Sequence, residues 1–286
     1  MSRPDGLRRV TAADGAPALV AVRGDELFPV DGSLAELLGA GRERLWEAAA
    51  AALGGTPLAA PAASLAPVDE QEVWASGVTY RRSATARVEE SSVGDVYEMV
   101  YEAQRPELFL KATPRRVPLP GAPLRIRADS GWDVPEPELA LVLDAHGEIA
   151  GYLVADDVSS RSIEGANPLY LPQAKIYDDA LGLSDTIVLA GDRDVDAAIR
   201  AAAVTVEIRR AGDVLFAGET SVAEMKRSFE DLIACLFAEL SHPAGAVLLT
   251  GTGVVPPDEV TLHDGDTVAI AVAGVGVLEH LIYSRT

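Results

Sequence analysis

Trp132-Asp133-Val134-Pro135-Glu136-Pro137-Glu138-Leu139-Ala140-Leu141-Val142-Leu143 is the stretch on which the reading of this chain turns. Its second half is a strongly apolar strand. Side chains at i and i+2 of a strand share a face, so Glu136 and Glu138 point the same way at its start. Pro135 and Pro137 cannot donate to a ladder, which places them at an edge or a strand start. Two carboxylates on one face repel each other unless a proton or a cation lies between them.

The next residues bring in a third acid. Asp144-Ala145-His146-Gly147 reads as a hairpin connection. Pairing back from it carries Asp156 and Asp157 alongside Glu136, within a residue or two of register. Directly opposed residues have Cβ atoms about 5 Å apart. Taken alone, Glu-x-Glu is a common feature of solvated strand ends. With Asp157 returning to the same point, Glu136, Glu138 and Asp157 are expected to hold a hard divalent cation: Mg²⁺, or Mn²⁺ or Ca²⁺ in its place.

Lys175 lies among aromatic and aliphatic residues in Pro168 to Tyr177, in a chain with only three lysines: Lys111, Lys175 and Lys226. A surface lysine is one reading. A pocket ammonium able to exchange protons is the other, and arginine could not replace it there. Thr250-Gly251-Thr252-Gly253 follows a strand, and its amides and hydroxyls suit an anion. Gly274-Val275-Gly276 is not a dinucleotide fingerprint, since no third glycine and no helix follow.

Further out, short strands are expected at 73–75, 108–112, 124–128, 139–144, 149–155, 186–190, 204–209, 247–250, 267–272 and 276–283. One long amphipathic helix is expected at 221–240. Residues 7–30 read as two or three strands turned at Gly15 and Gly24, and residues 33–53 as two helices parted by Gly39 and Gly41. The Gly/Ala/Pro-rich stretch 54–67 marks a boundary between a small N-terminal α+β domain, 1–67, and a main domain, 68–286. No βαβ alternation appears, which argues against doubly wound and TIM-barrel folds.

Composition narrows the class. The 286 residues are 48% hydrophobic and 24% charged, which is globular. Net charge −20 disfavours nucleic acid and anionic membranes. Cys235 is the single cysteine, so neither an internal disulfide nor a C-x-x-C zinc site is available. No apolar run is long enough to span a membrane, and the first residues lack the apolar core of a signal peptide, so a cytoplasmic protein is expected.

Together, Glu136-x-Glu138, Asp157, Lys175, Thr250-Gly251-Thr252, Asp264-Gly265-Asp266-Thr267-Val268 and Gly274 to Leu278 resemble the fumarylacetoacetate hydrolase superfamily, over about Val73 to Tyr283. The resemblance implies an α+β, mainly β, mixed β-roll. It also implies a Mg²⁺-type cation, 2-oxo acid substrates and a homo-oligomer. Gly251 and Thr252 would then meet the substrate carboxylate. Tyr80, in the tyrosine position of the superfamily's G-x-N-Y-x-x-H segment, and Arg81 are further substrate-binding candidates. Residues 80–104 would form a lid.

The departures matter as much. Thr79 stands for the asparagine of that segment and Ser83 for its histidine, so water activation by a histidine–glutamate dyad is not expected. Residues 101–114, 135–144 and 156–175 are more similar to a dehydratase subgroup acting on 2-keto-3-deoxy sugar acids. There Glu107 and Lys175 would face the bound 2-oxo acid. The resemblance thus implies a Mg²⁺-dependent dehydratase giving a dioxo acid such as 2,5-dioxopentanoate, with Lys175 and Glu107 as the catalytic pair. An acylpyruvate-type C–C hydrolase or isomerase recruiting Glu89 or Glu90, and a metal-binding protein without activity, are the competing readings.

Overall fold

A computed structural model of the chain describes residues 4–58, 63–83, 85 and 95–285. It starts with a meander of β1 (Gly6–Thr11), β2 (Pro17–Arg23) and β3 (Glu26–Pro29). Gly15 and Gly24 turn it, both at positive φ. Two helices follow, α1 (Leu34–Gly39) and α2 (Arg42–Ala52). Ser33 starts α1 with a capping box to Glu36, satisfying amides that the helix leaves open. Gly41, at φ 103, separates the helices.

Next come β4 (Glu72–Gly77), α3 (Asp95–Glu102), β5 (Glu107–Ala112), β6 (Leu124–Ile126), β7 (Asp133–Val134), β8 (Pro137–Leu143), β9 (Ile149–Asp157) and β10 (Ser159–Ser160). Two short helices, α4 (Arg161–Ala166) and α5 (Leu171–Lys175), precede β11 (Leu181–Leu183) and β12 (Thr186–Leu189). The remainder is α6 (Arg193–Ile199), β13 (Ala203–Arg210), β14 (Asp213–Ser221), α7 (Phe229–Leu236), β15 (Ala246–Leu249), β16 (Thr267–Val272) and β17 (Gly276–Ser284).

Among the described residues the strands form a ten-stranded mixed sheet in the order β3-β2-β1-β12-β9-β8-β15-β4-β5, with β11 also on β9. A five-stranded sheet, β14-β13-β16-β17-β6, and the pair β10-β7 complete the set. This is the α+β, mainly β architecture that the sequence implied. Strand β8 lies between β9 and β15, buried along its whole length. Its alternation sends Ala140 and Val142 into a core with Leu38 and Leu45 of the helices. Leu139, Leu141 and Leu143 enter a second core with Val206, Val268 and Leu278 of the five-stranded sheet. Each such leucine contributes about 1.5–3 kcal/mol of apolar burial. A strand covered on both faces needs the near-continuous apolar run that β8 shows.

The large sheet crosses the expected 1–67/68–286 boundary without a break. β1 pairs with β12 through Leu7↔Ile187. Leu7 and Phe28 share a core with Val73 and Val247.

The β8–β9 hairpin closes as expected. Gly147 takes positive φ and donates to Asp144 O. The buried Asp144 carboxylate accepts the amides of His146, Glu148 and Arg42, so it also caps α2, whose N-cap Gly41 has no side chain to do so.

The expected helix at 221–240 is a correction. The helix is only Phe229–Leu236, because Ser228 starts it in a capping box with Asp231. Val222 instead lies in a 3₁₀ turn and plugs the second core. Strand β14 and helix α6 had no counterpart in the sequence reading. β14 exposes Val214 and Leu215, which obscures its alternation. α6 is seven residues long and rests on its Asp192 cap.

Candidate active site

The site is built where β8 begins and β9 ends. Pro137 pairs with Asp156, which sets Asp157 beside Glu136, and the Asp157 amide donates to Glu136 O at 3.0 Å. Glu136, Glu138 and Asp157 are all buried, and each offers an oxygen within 4.8 Å of the others. Glu138 accepts the Gly251 amide at 2.5 Å. Gly251 is needed there twice over. Its φ is +90, and a Cβ would overlap Thr79 Oγ1. Burial, then the charges of Asp157 and Glu136, push the Glu138 carboxyl well above the usual carboxylate range.

Among the described residues, Lys175, Lys111 and Arg161 answer these acids. Lys175 Nζ donates to Glu136 Oε2 at 2.7 Å, Asp157 Oδ2 at 3.0 Å and Ser159 Oγ at 2.6 Å. It is brought there by local structure. Asn167 caps a 3₁₀ turn at Pro168–Tyr170, Pro172 favours the first turn of α5, and that helix ends at Lys175. Lys111, from β5, contacts Asp157 Oδ1 at 2.5 Å. Arg161 Nη2 lies 3.1 Å from Glu136 Oε1, and Nη1 lies 4.0 Å from Glu164.

The donor set fits a hard dication. Buried carboxylates are the ligands Mg²⁺ prefers. The packed carboxylates repel one another, so a dication suits the cluster, and without one a proton on Glu138 eases the same repulsion, the direction its environment sets.

Above this floor lies a narrow cleft, walled by Glu107, Phe109, Lys175, Thr252, Ser83 and Leu171 among others. Glu107 pairs with Gly77 in the β4–β5 ladder. A Cβ on Gly77 would overlap the Glu107 carboxylate, so this glycine gives Glu107 its place. The structure therefore brings Glu107, Lys175, Thr252 and the metal-ligand candidates Glu136 and Asp157 to one cleft, with Glu138 behind them.

Tyr80 and Arg81 are placed elsewhere. Tyr80 is buried against Gly253, and burial, then Glu138 and Glu224, raise its phenol. Arg81 turns to α3, bonding Glu98 at 3.0 Å and Glu102 at 3.4 Å and covering the Tyr101 ring. Gly251 gives its amide to Glu138, and the Thr252 hydroxyl meets the Val254 main chain at 3.2 Å. Of the expected lid, 80–104, residues 84 and 86–94, with Arg87, Glu89 and Glu90 among them, lie outside the described residues.

The sequence reading missed Lys111, Ser159, Arg161 and Glu164. Ser159 and Arg161 follow Asp157 at two and four residues. Lys111 was visible as a lysine in an arginine-rich chain, but its alternating strand gave no sign of a charge partner.

A mixed β-roll that gathers three buried carboxylates, a lysine and a glutamate at one cleft defines a protein with a candidate metal site. The chain belongs to the fumarylacetoacetate hydrolase family, whose model, Fumarylacetoacetate (FAA) hydrolase C-terminal, matches residues 72–282. A probable 2-keto-3-deoxyxylonate dehydratase of Haloferax volcanii is 47% identical over 216 residues, 76% of this chain and 73% of that protein. The 2-dehydro-3-deoxy-D-arabinonate dehydratase of Saccharolobus solfataricus is 41% identical over 217 residues, 74% of this chain and 72% of that protein. A solved 2-keto-3-deoxy-D-arabinonate dehydratase, complexed with magnesium and 2,5-dioxopentanoate, superposes with a TM-score of 0.83 at 33% identity, covering 98% of this chain and 99% of that one.

Proposed function

We propose that this chain is a Mg²⁺-dependent dehydratase that converts a 2-keto-3-deoxy sugar acid into a dioxo acid such as 2,5-dioxopentanoate. The observation that carries this reading is the shared cleft of Glu107 and Lys175 above the Glu136, Glu138 and Asp157 carboxylates. The named activities of the two relatives and the product held by the solved neighbour support it.

Glu136, Glu138 and Asp157 would hold the ion. When bound, Mg²⁺ supplies Lewis-acid stabilisation of negative charge on a 2-oxo acid. The protein supplies the proton transfers. Lys175 Nζ would act as the neutral amine, having released one proton to solvent, and in that form takes a proton from C3. Glu107 gives a proton to the C4 hydroxyl, the C4–O bond breaks and water leaves. With a hydroxyl on C5, tautomerisation of the resulting unsaturated acid places the second carbonyl there. No water nucleophile is required, which agrees with Ser83 standing in the cleft where the hydrolases carry histidine.

The test is direct. Purified protein is incubated with Mg²⁺ and either a 2-keto-3-deoxy-pentonate or an acylpyruvate. Formation of the dioxo acid from the first, and no cleavage of the second, is the expected result. Cleavage of the acylpyruvate alone would return the hydrolase reading.

A further inference from the structure

Lys111 is a fully buried lysine for which the proton transfers above have no use, and it is not among the residues lining the cleft. Its three contacts are specific. Nζ lies 2.5 Å from Asp157 Oδ1, 2.6 Å from the main-chain oxygen of Lys175 and 3.1 Å from that of Val158. A carboxylate and two carbonyl oxygens are all acceptors. The two main-chain oxygens accept hydrogen bonds from it, and the Asp157 oxygen meets it as an ion pair, which asks for the ammonium rather than the neutral amine. A buried ammonium is costly unless it is paired and hydrogen-bonded. Nothing in packing alone asks for one in β5, next to Leu110.

We propose that Lys111 is a positioning residue: its ammonium pins the outer oxygen of Asp157 to the main chain of Lys175. The distance between a metal ligand and the proton-transfer lysine is thereby fixed from behind. Asp157 carries one lysine on each oxygen, Lys111 on Oδ1 and Lys175 on Oδ2. The helix α5 that delivers Lys175 ends at the residue whose carbonyl Lys111 holds. Arginine is not equivalent here, because its planar fork cannot bring one nitrogen to a carboxylate and two main-chain oxygens at once. The assignment rests on the dehydratase reading, in which Asp157 binds the ion and Lys175 moves the proton.

The experiment measures Mg²⁺ binding calorimetrically in the wild type, Lys111→Met and Lys111→Arg, followed by kcat and KM at saturating Mg²⁺. Loss of a positive charge beside a metal ligand should by Coulomb's law alone tighten a cation. Loss of positioning should weaken it, by about 10–100-fold for a group supporting a ligand. Both variants are expected to bind Mg²⁺ more weakly, and to keep a kcat lowered about tenfold when saturated, with KM little changed. Equal or tighter binding with wild-type kcat overturns the proposal. A wild type that binds no Mg²⁺ overturns the dehydratase reading instead.

Should neither variant fold, the wild type decides by nitrogen-15 NMR of its three lysine Nζ groups, with the exposed one assigned through Lys226→Arg. A Lys111 ammonium signal with slowly exchanging protons that moves on Mg²⁺ addition is expected. A signal indifferent to Mg²⁺, or a neutral amine, is inconsistent with the pin.

Discussion

His280 Nε2 lies 2.9 Å from Asp156 Oδ2, on the face of β9 opposite Asp157. The other Asp156 oxygen accepts the Glu136 amide at 2.9 Å. Consecutive aspartates thus do different work, because consecutive strand residues point to opposite faces. Asp157 faces the acid cluster. Asp156 ties the main chain of a ligand candidate to the five-stranded sheet through β17.

This link makes His280 a stability residue. His280→Leu leaves a buried carboxylate oxygen without its imidazole partner and should cost about 3–5 kcal/mol. His280→Gln keeps a donor near Nε2 and should recover most of the loss. Urea unfolding of both variants checks this. Equal destabilisation by the two would mean that ring packing, rather than the Asp156 contact, carries the effect.

Glu138 predicts a proton linkage. Its folded-state pKa is raised, by burial first and then by Asp157 and Glu136. A carboxyl raised in the folded state stabilises the fold while protonated, and that contribution is lost as pH rises from its unfolded value through its folded one. In the presence of EDTA, Glu138→Gln should therefore melt above the wild type at neutral pH. It should also fail to bind Mg²⁺. Mg²⁺ binding to the wild type should release a proton, read from the dependence of binding heat on buffer ionisation enthalpy. A buffer-independent heat would refute the linkage.

Asp133 offers a second pH signature away from the cleft. Its carboxyl is buried, and burial raises it to about 6, against the pull of Ser130 and Arg127. The sign is the same as for Glu138: stability is held below the unfolded pKa of about 3.9 and lost on passing pH 6. The Tm of Asp133→Asn minus that of the wild type should grow between pH 4 and pH 7. A constant difference over that range would show that Asp133 titrates normally.

The site was legible where it obeyed strand periodicity. Glu136, Glu138 and Asp157 follow from the i, i+2 rule and one hairpin, and the observed register falls within the residue or two allowed. Lys111 and Arg161 were not legible, since each meets a metal-ligand candidate 46 or 25 positions away along the chain, at Asp157 and Glu136. The same limit explains β1 joining β12, a pairing between distant segments that no local pattern encodes. The helix at 221–240 was overread because Val222 and Met225 kept helical spacing while serving a turn and an isolated bridge to Tyr80.

Gly77 tests how Glu107 is held. A methyl group there would overlap the Glu107 carboxylate. Gly77→Ala should therefore lower kcat through displaced Glu107 while Mg²⁺ affinity stays near that of the wild type, because the carboxylates that would hold the ion lie on β8, on β9 and at Glu136 just before β8. Parallel loss of Mg²⁺ affinity would mean that the substitution disturbs the whole floor rather than one wall.

Glu107 and Lys175 are separable by leaving group. Dehydration needs one group to take the C3 proton and another to protonate the departing oxygen, each contributing about 10²–10⁴-fold in rate. Lys175→Met should reduce kcat by about that factor with every substrate, since C3 deprotonation precedes any departure. Glu107→Gln should do so only where the C4 substituent leaves poorly. With fluoride at C4, which departs without a proton, Glu107→Gln should turn over near the wild-type rate. Slow turnover of both substrates would reduce Glu107 to a structural glutamate filling the space above Gly77. A near-wild-type kcat for Lys175→Met would leave its ammonium as no more than a counter-charge to Glu136 and Asp157.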